Sequence, residues 1–512
     1  MNPKQVLAFV LSVLASLALL MIVFPKNGIP VTDNFALEFV TLNEMLSDEN
    51  NNLVDINTLV DTTTDINENA EFTEHRLDSA YIDSVLVFYK PVPISIDSVR
   101  QYLEYPVNNA KVLEPLFAYM ANLGASNDLM RILHYGDSQI ETDRITSYLR
   151  YKLQSKFGGS GAGLLPAKQP FETQTPMQVI PSDKWYRYTL FPAKDTLVKH
   201  NRYGVLGSFC TFIKITAPDS SKTDSSYQFV AKALTPKKDE ITARISFKQS
   251  QYSSANVKIY NTVKMIYGYN TTSVKVNIFD GESLILTDSV KPTNYTSIKS
   301  FNFATTPKDL HFELSGNSSP EIYGFAFDAG RGIAVDNIPM RGSAGTTFTA
   351  TDLTQLKQLY SLLNVKLLIL QFGGNVIPYM TDEKVDSYKR MFSAQLRALK
   401  RINPEMAIIV IGPADMSTKV KDSYETYPVL EKVIEALKVA SFENGAAFWN
   451  MYLAMGGKNS MPSWVFAEKP LAEKDFVHFT PQGSNVIAKM FFNAFINEYN
   501  NYLYKQNKTP VK

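Results

Sequence analysis

The sequence predicts an α/β protein: a three-layer α/β/α sandwich on a parallel sheet, interrupted by an all-β insertion and preceded by one apolar N-terminal helix. Three observations predict it. Apolar runs alternate with helix-like segments around Leu129 to Lys156 and again from Gly332 onward. Between Thr173 and Asp328 the pattern changes to short alternating runs separated by polar turns. Ahead of both lies Val6 to Phe24, continuous and apolar apart from two serines.

The 512 residues are enough for two or three domains, and 45% hydrophobic content suits globular cores. A net charge of +1 gives no electrostatic footing for a nucleic-acid partner. Cys210 is the single cysteine, so an intramolecular disulfide and a cysteine-based zinc site are excluded. With only 5 histidines, a histidine-rich metal centre is not expected either.

Val6 to Phe24 at helical rise spans roughly the ~30 Å hydrocarbon core. Ile22-Val23-Phe24-Pro25 offers no small-x-small cleavage site, which favours an uncleaved anchor (residues 1–30) over a cleaved signal peptide. Lys4 ahead of the span places the N-terminus in the cytoplasm and the remainder outside the inner membrane. Residues 31–110 hold a solvated linker, Asp48 to Glu74, and a β-branched and aromatic run, Tyr81 to Tyr89, with no assigned role.

The first part of the α/β unit is expected over 111–172. Lys111 to Leu123 has helical spacing, with Gly124 as its stop. The strand Leu129 to Tyr135 follows, then the turn Gly136-Asp137-Ser138, then a helix from Arg144 to Lys156. The glycine-rich run Phe157 to Gly163 lacks the spacing of a phosphate loop and is read as a close-approach or mobile loop beside the site.

The insertion is expected over 173–330 as a β-sandwich or jelly roll, from runs such as Val230 to Leu234, Thr242 to Phe247, Ser273 to Phe279, Ser283 to Leu286 and His311 to Leu314. The α/β pattern then resumes over 331–512. Gly332 to Ile338, Val365 to Phe372, Met406 to Ile411 and Ala446 to Met451 read as strands. Leu353 to Leu363, Asp382 to Ile402, Tyr427 to Glu443 and Gly483 to Tyr502 read as helices. This alternation gives a parallel sheet covered on both faces.

In such a sheet, ligands bind beyond the carboxyl ends of the strands. Four strand-end loops carry suitable groups there: Ser138, Gly342, Asn375 and Asp475-Phe476-Val477-His478. A serine alcohol needs a base to act as nucleophile, and His478 is the candidate. Asp475 lies close enough in one turn to orient it. The backbone N–H groups of Ser138 and Gly342 and the side-chain amide of Asn375 are the candidate oxyanion donors. His134 is a rival base, but a histidine inside a strand is more simply packed. Asp415 also follows a strand, where Gly-Pro-Ala-Asp makes a turn. Trp449 and Trp464 fit a sugar or acyl pocket as well as they fit the core.

Taken together these blocks resemble the SGNH or GDSL-like hydrolases. Gly136-Asp137-Ser138 is similar to the nucleophile block of that family, Gly342 to its oxyanion glycine, Gly373-Gly374-Asn375 to its Gly-x-Asn block, and Asp475 to Gly483 to its Asp-x-x-His block. The resemblance covers about Lys111 to Gly163 and Gly332 to Tyr502. It departs from the family at Gln139, where Leu is usual, and at Val376, where Asp is usual. It implies a flavodoxin-like SGNH fold and ester hydrolysis without a metal or organic cofactor. A narrower resemblance is to bacterial cell-surface members that remove acetyl groups from peptidoglycan or other glycans. Some of those carry a jelly-roll, carbohydrate-binding-like domain in the position of the insertion.

The expected protein is therefore a membrane-anchored, extracytoplasmic serine esterase acting on an acetylated glycan or another ester. The rival readings are a lipid-directed esterase or thioesterase and a non-catalytic glycan-binding envelope protein.

Overall fold

The structure is a computed structural model that describes residues 3–24, 29–32, 35–37, 99–170, 176–216, 239–250, 253–421 and 423–508. The linker Asp48 to Glu74, the run Tyr81 to Tyr89 and the strand expected at Val230 to Leu234 lie outside the described residues.

A five-stranded parallel sheet forms the centre of the α/β unit. Its strands are β1 (Leu129–Gly136), β2 (Gly332–Pro339), β3 (Val365–Gln371), β4 (Ala407–Ile411) and β5 (Ala447–Trp449). Their spatial order is β2-β1-β3-β4-β5. The strands are apolar on both faces because both faces are covered. Met130 and Ile132 pack with α1 (Thr146–Phe157) and with a long C-terminal helix, Pro481–Lys508. Leu133 and Tyr135 point the other way, against α2 (Leu353–Leu362), α3 (Asp382–Ile402) and α4 (Leu430–Glu443). The result is a three-layer α/β/α sandwich.

Between β1 and β2 the chain builds a second unit from two antiparallel sheets. One runs Ser283–Val290, Val274–Asp280, Asp309–Gly316, Ile241–Gln249, Met177–Pro181. The other runs Thr293–Asn302, Thr262–Asn270, Glu321–Asp328, Ser208–Thr211, Tyr186–Thr189, and Gly163–Leu165 also pairs with Glu321–Asp328. Phe247, Phe312, Phe325 and Phe327 fill the core between these sheets. This is the inserted β-sandwich.

Local features differ from expectation in several places. The helix expected from Lys111 to Leu123 is Glu114–Ala121, and Gly124 lies inside a further short helix, Leu123–Ser126, instead of ending the first. The helix expected from Arg144 begins at Thr146, because Thr142, Asp143 and Ile145 all adopt positive φ and break the turn before it. The glycine-rich loop makes close backbone approaches, but away from the site. The N–H of Ile333, at the amino end of β2, donates to the Gly158 carbonyl at 2.9 Å, and Gly159 sits at φ +106° with no room for a Cβ against Ile333. That is the opposite edge of the sheet from Ser138.

At its N-terminus the chain has a helix, Pro3–Val23. Lys4–Val23 has a mean hydropathy of 2.9, so it is long and apolar enough to cross a membrane.

A buried ion cluster fastens the two units. Arg131 of β1 donates to Asp336 of β2 at 2.7 and 2.8 Å and to Asp328, the last residue of a sandwich strand, at 2.5 Å. All three side chains are 0% exposed. Removing one partner of a buried pair leaves an uncompensated charge, which costs roughly 3–5 kcal/mol. Arg131→Leu is therefore expected to lower the urea midpoint by an amount corresponding to several kcal/mol. A midpoint within experimental error of the parent would show that the cluster does not couple the units.

Candidate active site

The carboxyl end of β1 places Ser138. Gly136 pairs with Pro339 of β2 and Gln371 of β3, so three loops leave the sheet at one level. Asp137 turns the chain: its Oδ1 accepts from the Gln139 N–H at 3.0 Å, and a short 3₁₀ segment, Ser138–Asp143, follows. The Ser138 hydroxyl lies 2.8 Å from His478 Nε2, between residues 340 positions apart in sequence. His478 Nδ1 lies 2.6 Å from Asp475 Oδ2. The Asp475 Oδ1 accepts the backbone N–H groups of Val477 at 2.9 Å and His478 at 3.0 Å. Phe476 enables this tight turn by adopting φ +57°.

Partial burial works against the charge on Asp475. The His478 backbone N–H, the His478 ring and the Val477 N–H outweigh it and hold the carboxyl below its ordinary range. Asp475 is thus a carboxylate at neutral pH, suited to orient the Nδ1–H tautomer of His478 and leave Nε2 free to accept the serine proton.

Two contacts join the Ser138 turn to the histidine loop. Gln139 Nε2 donates to the Val477 carbonyl at 2.5 Å, and Arg144 Nη1 donates to the Phe479 carbonyl at 3.2 Å. Gln139 stands where the resembling family usually has Leu. The sequence marked it only as a departure, because its partner is a backbone atom in a loop far downstream.

Asn375 and Gly342 are placed differently from each other. Asn375 lines the same cavity of about 210 Å³ as Ser138 and His478, together with Phe372, Tyr379 and Met416. Its Nδ2 donates to Asp137 Oδ2 at 3.0 Å and to the Ser343 carbonyl at 3.2 Å, so its amide hydrogens are already engaged. Gly342 is exposed on the loop after β2, at φ +80°, and is not a wall of that cavity. Its buried neighbour Ser343 supplies the contact to Asn375.

The other candidates are structural. His134 is fully buried, with Nε2 3.1 Å from Gln371 Oε1 and Nδ1 2.8 Å from the Thr146 hydroxyl. Burial pushes its pKa down to about 3, so it stays neutral. Asp415 makes more than a turn. It is buried, accepts from Thr426 Oγ1 at 2.7 Å and the Met461 N–H at 2.8 Å, and burial raises its pKa to about 6. Trp449 and Trp464 are both 0% exposed, and their indole N–H groups donate to the carbonyls of Gln101 and Met455. They are core residues. Among the described residues no three His, Cys, Asp or Glu side chains gather as a metal site.

Asp137 was not singled out by the sequence as more than part of a turn. Burial raises its pKa to about 6, against the opposing pull of the Gln139 N–H, the His478 charge and Asn375. A carboxyl whose folded pKa is raised stabilises the fold fully below its unfolded pKa and loses that contribution as pH rises through the folded value. Asp137→Asn removes this loss. The stability of that variant relative to the parent is therefore expected to rise between about pH 4 and pH 7, by on the order of 3 kcal/mol. Parallel urea titrations at both pH values measure it. A constant difference would place the ionisation of Asp137 in its ordinary range.

No protein-family model and no curated protein sequence matches this chain. Among solved structures, it is similar to one described as a peptidoglycan O-acetylesterase, at 16% identity and a TM-score of 0.58, covering 78% of this chain and 99% of that one. A structure described as a family two carbohydrate esterase from Cellvibrio japonicus aligns at 9% identity and a TM-score of 0.23, covering 64% of this chain and 99% of that one. One described as a GDSL-like lipase from Bacteroides ovatus aligns at 11% identity and a TM-score of 0.23, covering 62% and 96%. The chain shares its fold with the structure described as a peptidoglycan O-acetylesterase.

Proposed function

We propose that the protein is an extracytoplasmic serine esterase that removes O-acetyl groups from a glycan such as peptidoglycan. The observation that carries the reading is the continuous hydrogen-bonded chain Ser138–His478–Asp475 at the carboxyl edge of the sheet. The fold shared with a structure described as a peptidoglycan O-acetylesterase supports the choice of ester. The cavity at Ser138 is compact, which suits a short acyl group better than a long chain.

In the proposed reaction Ser138 Oγ attacks the acetyl carbonyl carbon while its proton passes to His478 Nε2. Asp475 stabilises the imidazolium that forms. The negative charge on the carbonyl oxygen is met by the Ser138 N–H and Asn375 as donors, with the Gly342 loop having to close on the cavity before its N–H could add a third. Asn375 would share a hydrogen now given to Asp137 or Ser343. Collapse expels the sugar oxygen, which takes the proton from His478. A water then gives its proton to Nε2 and attacks the acetyl carbon. Acetate leaves, and Ser138 recovers its proton.

The helix Pro3–Val23 would anchor the protein with its catalytic unit outside the inner membrane. Protease added to spheroplasts is then expected to cut within the sandwich, and protection until lysis would reverse that orientation.

Ser138→Ala and His478→Ala are each expected to abolish turnover nearly completely, and the double variant to be scarcely worse, because the two act as a unit. Asp475→Ala should cost less, since His478 keeps its acceptor but loses its orientation. Asn375→Ala should cost roughly 10²–10³ in kcat. Acetate release from an acetylated glycan and from p-nitrophenyl acetate measures each variant after circular dichroism confirms folding. Near-parental turnover in a folded Ser138→Ala protein would eliminate serine catalysis, and no acetate release from the folded parent would leave a glycan-binding envelope protein as the better reading.

A further inference from the structure

A second and larger cavity, of about 310 Å³, lies where the sandwich meets the α/β unit. It is separate from the cavity at Ser138, with no wall residue in common. Most of its wall is apolar, contributed by Leu164, Phe191 and Leu206 from the sandwich side and Ile338 and Met340 from the end of β2. An apolar cavity with a few polar groups is the usual build of a small-molecule site.

Arg187 is the polar group that needs explaining. It lies on the sandwich strand Tyr186–Thr189, where side chains alternate between faces. Tyr188 points into the core shared with α2 and α3, while Arg187 and Thr189 point into the cavity. Burial lowers the pKa of the Arg187 guanidinium, and its Nε has no hydrogen-bond partner. Among the described residues no carboxylate forms an ion pair with it. The neighbouring Cys210 does not neutralise it, because burial pushes that thiol up to about 11. The other two arginines of the wall are matched: Arg150 pairs with Asp143 at 2.5 Å, and Arg341 lies 3.8 Å from Glu141. Arg187 is part-buried, and a guanidinium whose Nε is shut off from water without a counter-charge is unfavourable unless something supplies one.

We propose that this cavity is a ligand site for an organic carboxylate with an apolar body, held with its carboxylate on Arg187 and its body against Leu164, Leu206 and Ile338. A planar guanidinium binds carboxylate through two parallel hydrogen bonds. The apolar wall selects against a carboxylate on a polar, hydroxylated body. The site stands independently of the esterase reading, since none of its wall residues belongs to the Ser138–His478–Asp475 chain.

The test is isothermal titration of the full-length protein in nanodiscs with 4-phenylbutyrate, its uncharged amide 4-phenylbutyramide, and glucuronate. The expected result is saturable binding of 4-phenylbutyrate, with both comparison compounds at least tenfold weaker. Arg187→Gln should weaken 4-phenylbutyrate at least tenfold, and Leu206→Trp, which fills the cavity, should abolish its binding. Both variants should keep the parental melting temperature and the parental rate on p-nitrophenyl acetate. Absence of saturable binding, or equal affinity for acid and amide, would overturn the proposal without any variant being needed. Equal affinity for glucuronate and 4-phenylbutyrate would overturn the apolar body. Unchanged affinity in a folded Arg187→Gln protein would place the carboxylate elsewhere and overturn the site as drawn.

Discussion

The register of the central strand against its two neighbours is the constraint on which the site depends. Gly136 of β1 is level with Pro339 of β2 and Gln371 of β3. Parallel strands in register end together, so the Ser138 turn, the Gly342 loop and the Asn375 turn rise from one edge. The Met340 N–H closes the level by donating to the Gly136 carbonyl at 2.7 Å. The Asp475–His478 loop belongs to no strand of this sheet, and a different device brings it in. The C-terminal helix begins at Pro481, and Gly483 in its first turn packs so closely on the Leu471 carbonyl that a Cβ there would collide. The Gln139 and Arg144 contacts then fix the loop against the Ser138 turn.

Environment divides the labour between chemically identical side chains. Asp137 and Asp475 both lie near His478, yet burial raises the first and backbone N–H donors lower the second. Asp475 is the one hydrogen-bonded to the His478 ring and so placed to balance a protonated imidazole, whereas Asp137 holds the Gln139 N–H and Asn375. The histidines divide in the same way. His134 is sealed in the sheet and stays neutral between Gln371 and Thr146, whereas His478 is 29% exposed and faces the serine. The base proposed here needs that access to exchange protons with water.

The α/β strands were legible because burial on both faces writes itself as a continuous apolar run, as in Val365 to Gln371. Helix α3 was legible to its end residues from its amphipathic period. Other features had no local signature. Thr142 and Ile145 are β-branched residues at positive φ, which no propensity anticipates and which only the surrounding packing can enforce. Tyr186–Thr189 and Ser208–Thr211 are too short to show alternation above background. The glycines among residues 158–163 announce close approach, but not to which partners, and those are Ile333 and Asp336 of β2 and Phe327 of the sandwich. Of the candidate site, Ser138, His478 and Asp475 were readable from residue type and placement. The polar frame of Asp137, Gln139 and Ser343 was not, because each acts through an atom far away in the chain.

The sandwich interrupts the chain between two strands that lie side by side in the sheet, β1 and β2. Such a position permits insertion only if the intruding unit returns the chain to the start of a strand already flanking its point of departure. The return is short: Glu321–Asp328 leads almost directly into Gly332. The departure is fastened too, since Gly163–Leu165 joins a sandwich strand while its Leu164 N–H donates to Asp336 of β2 at 2.9 Å. Arg131 closes the junction by binding Asp328 and Asp336 at once. Excising 173–328 would take Asp328 away and leave the Gly163–Leu165 strand without its partner. The sandwich is inserted in sequence, but its junction is part of the same buried polar framework that sets β1 and β2 side by side. The orientation of the sandwich toward the edge that carries Ser138 is thus held by that framework as well as by linker geometry.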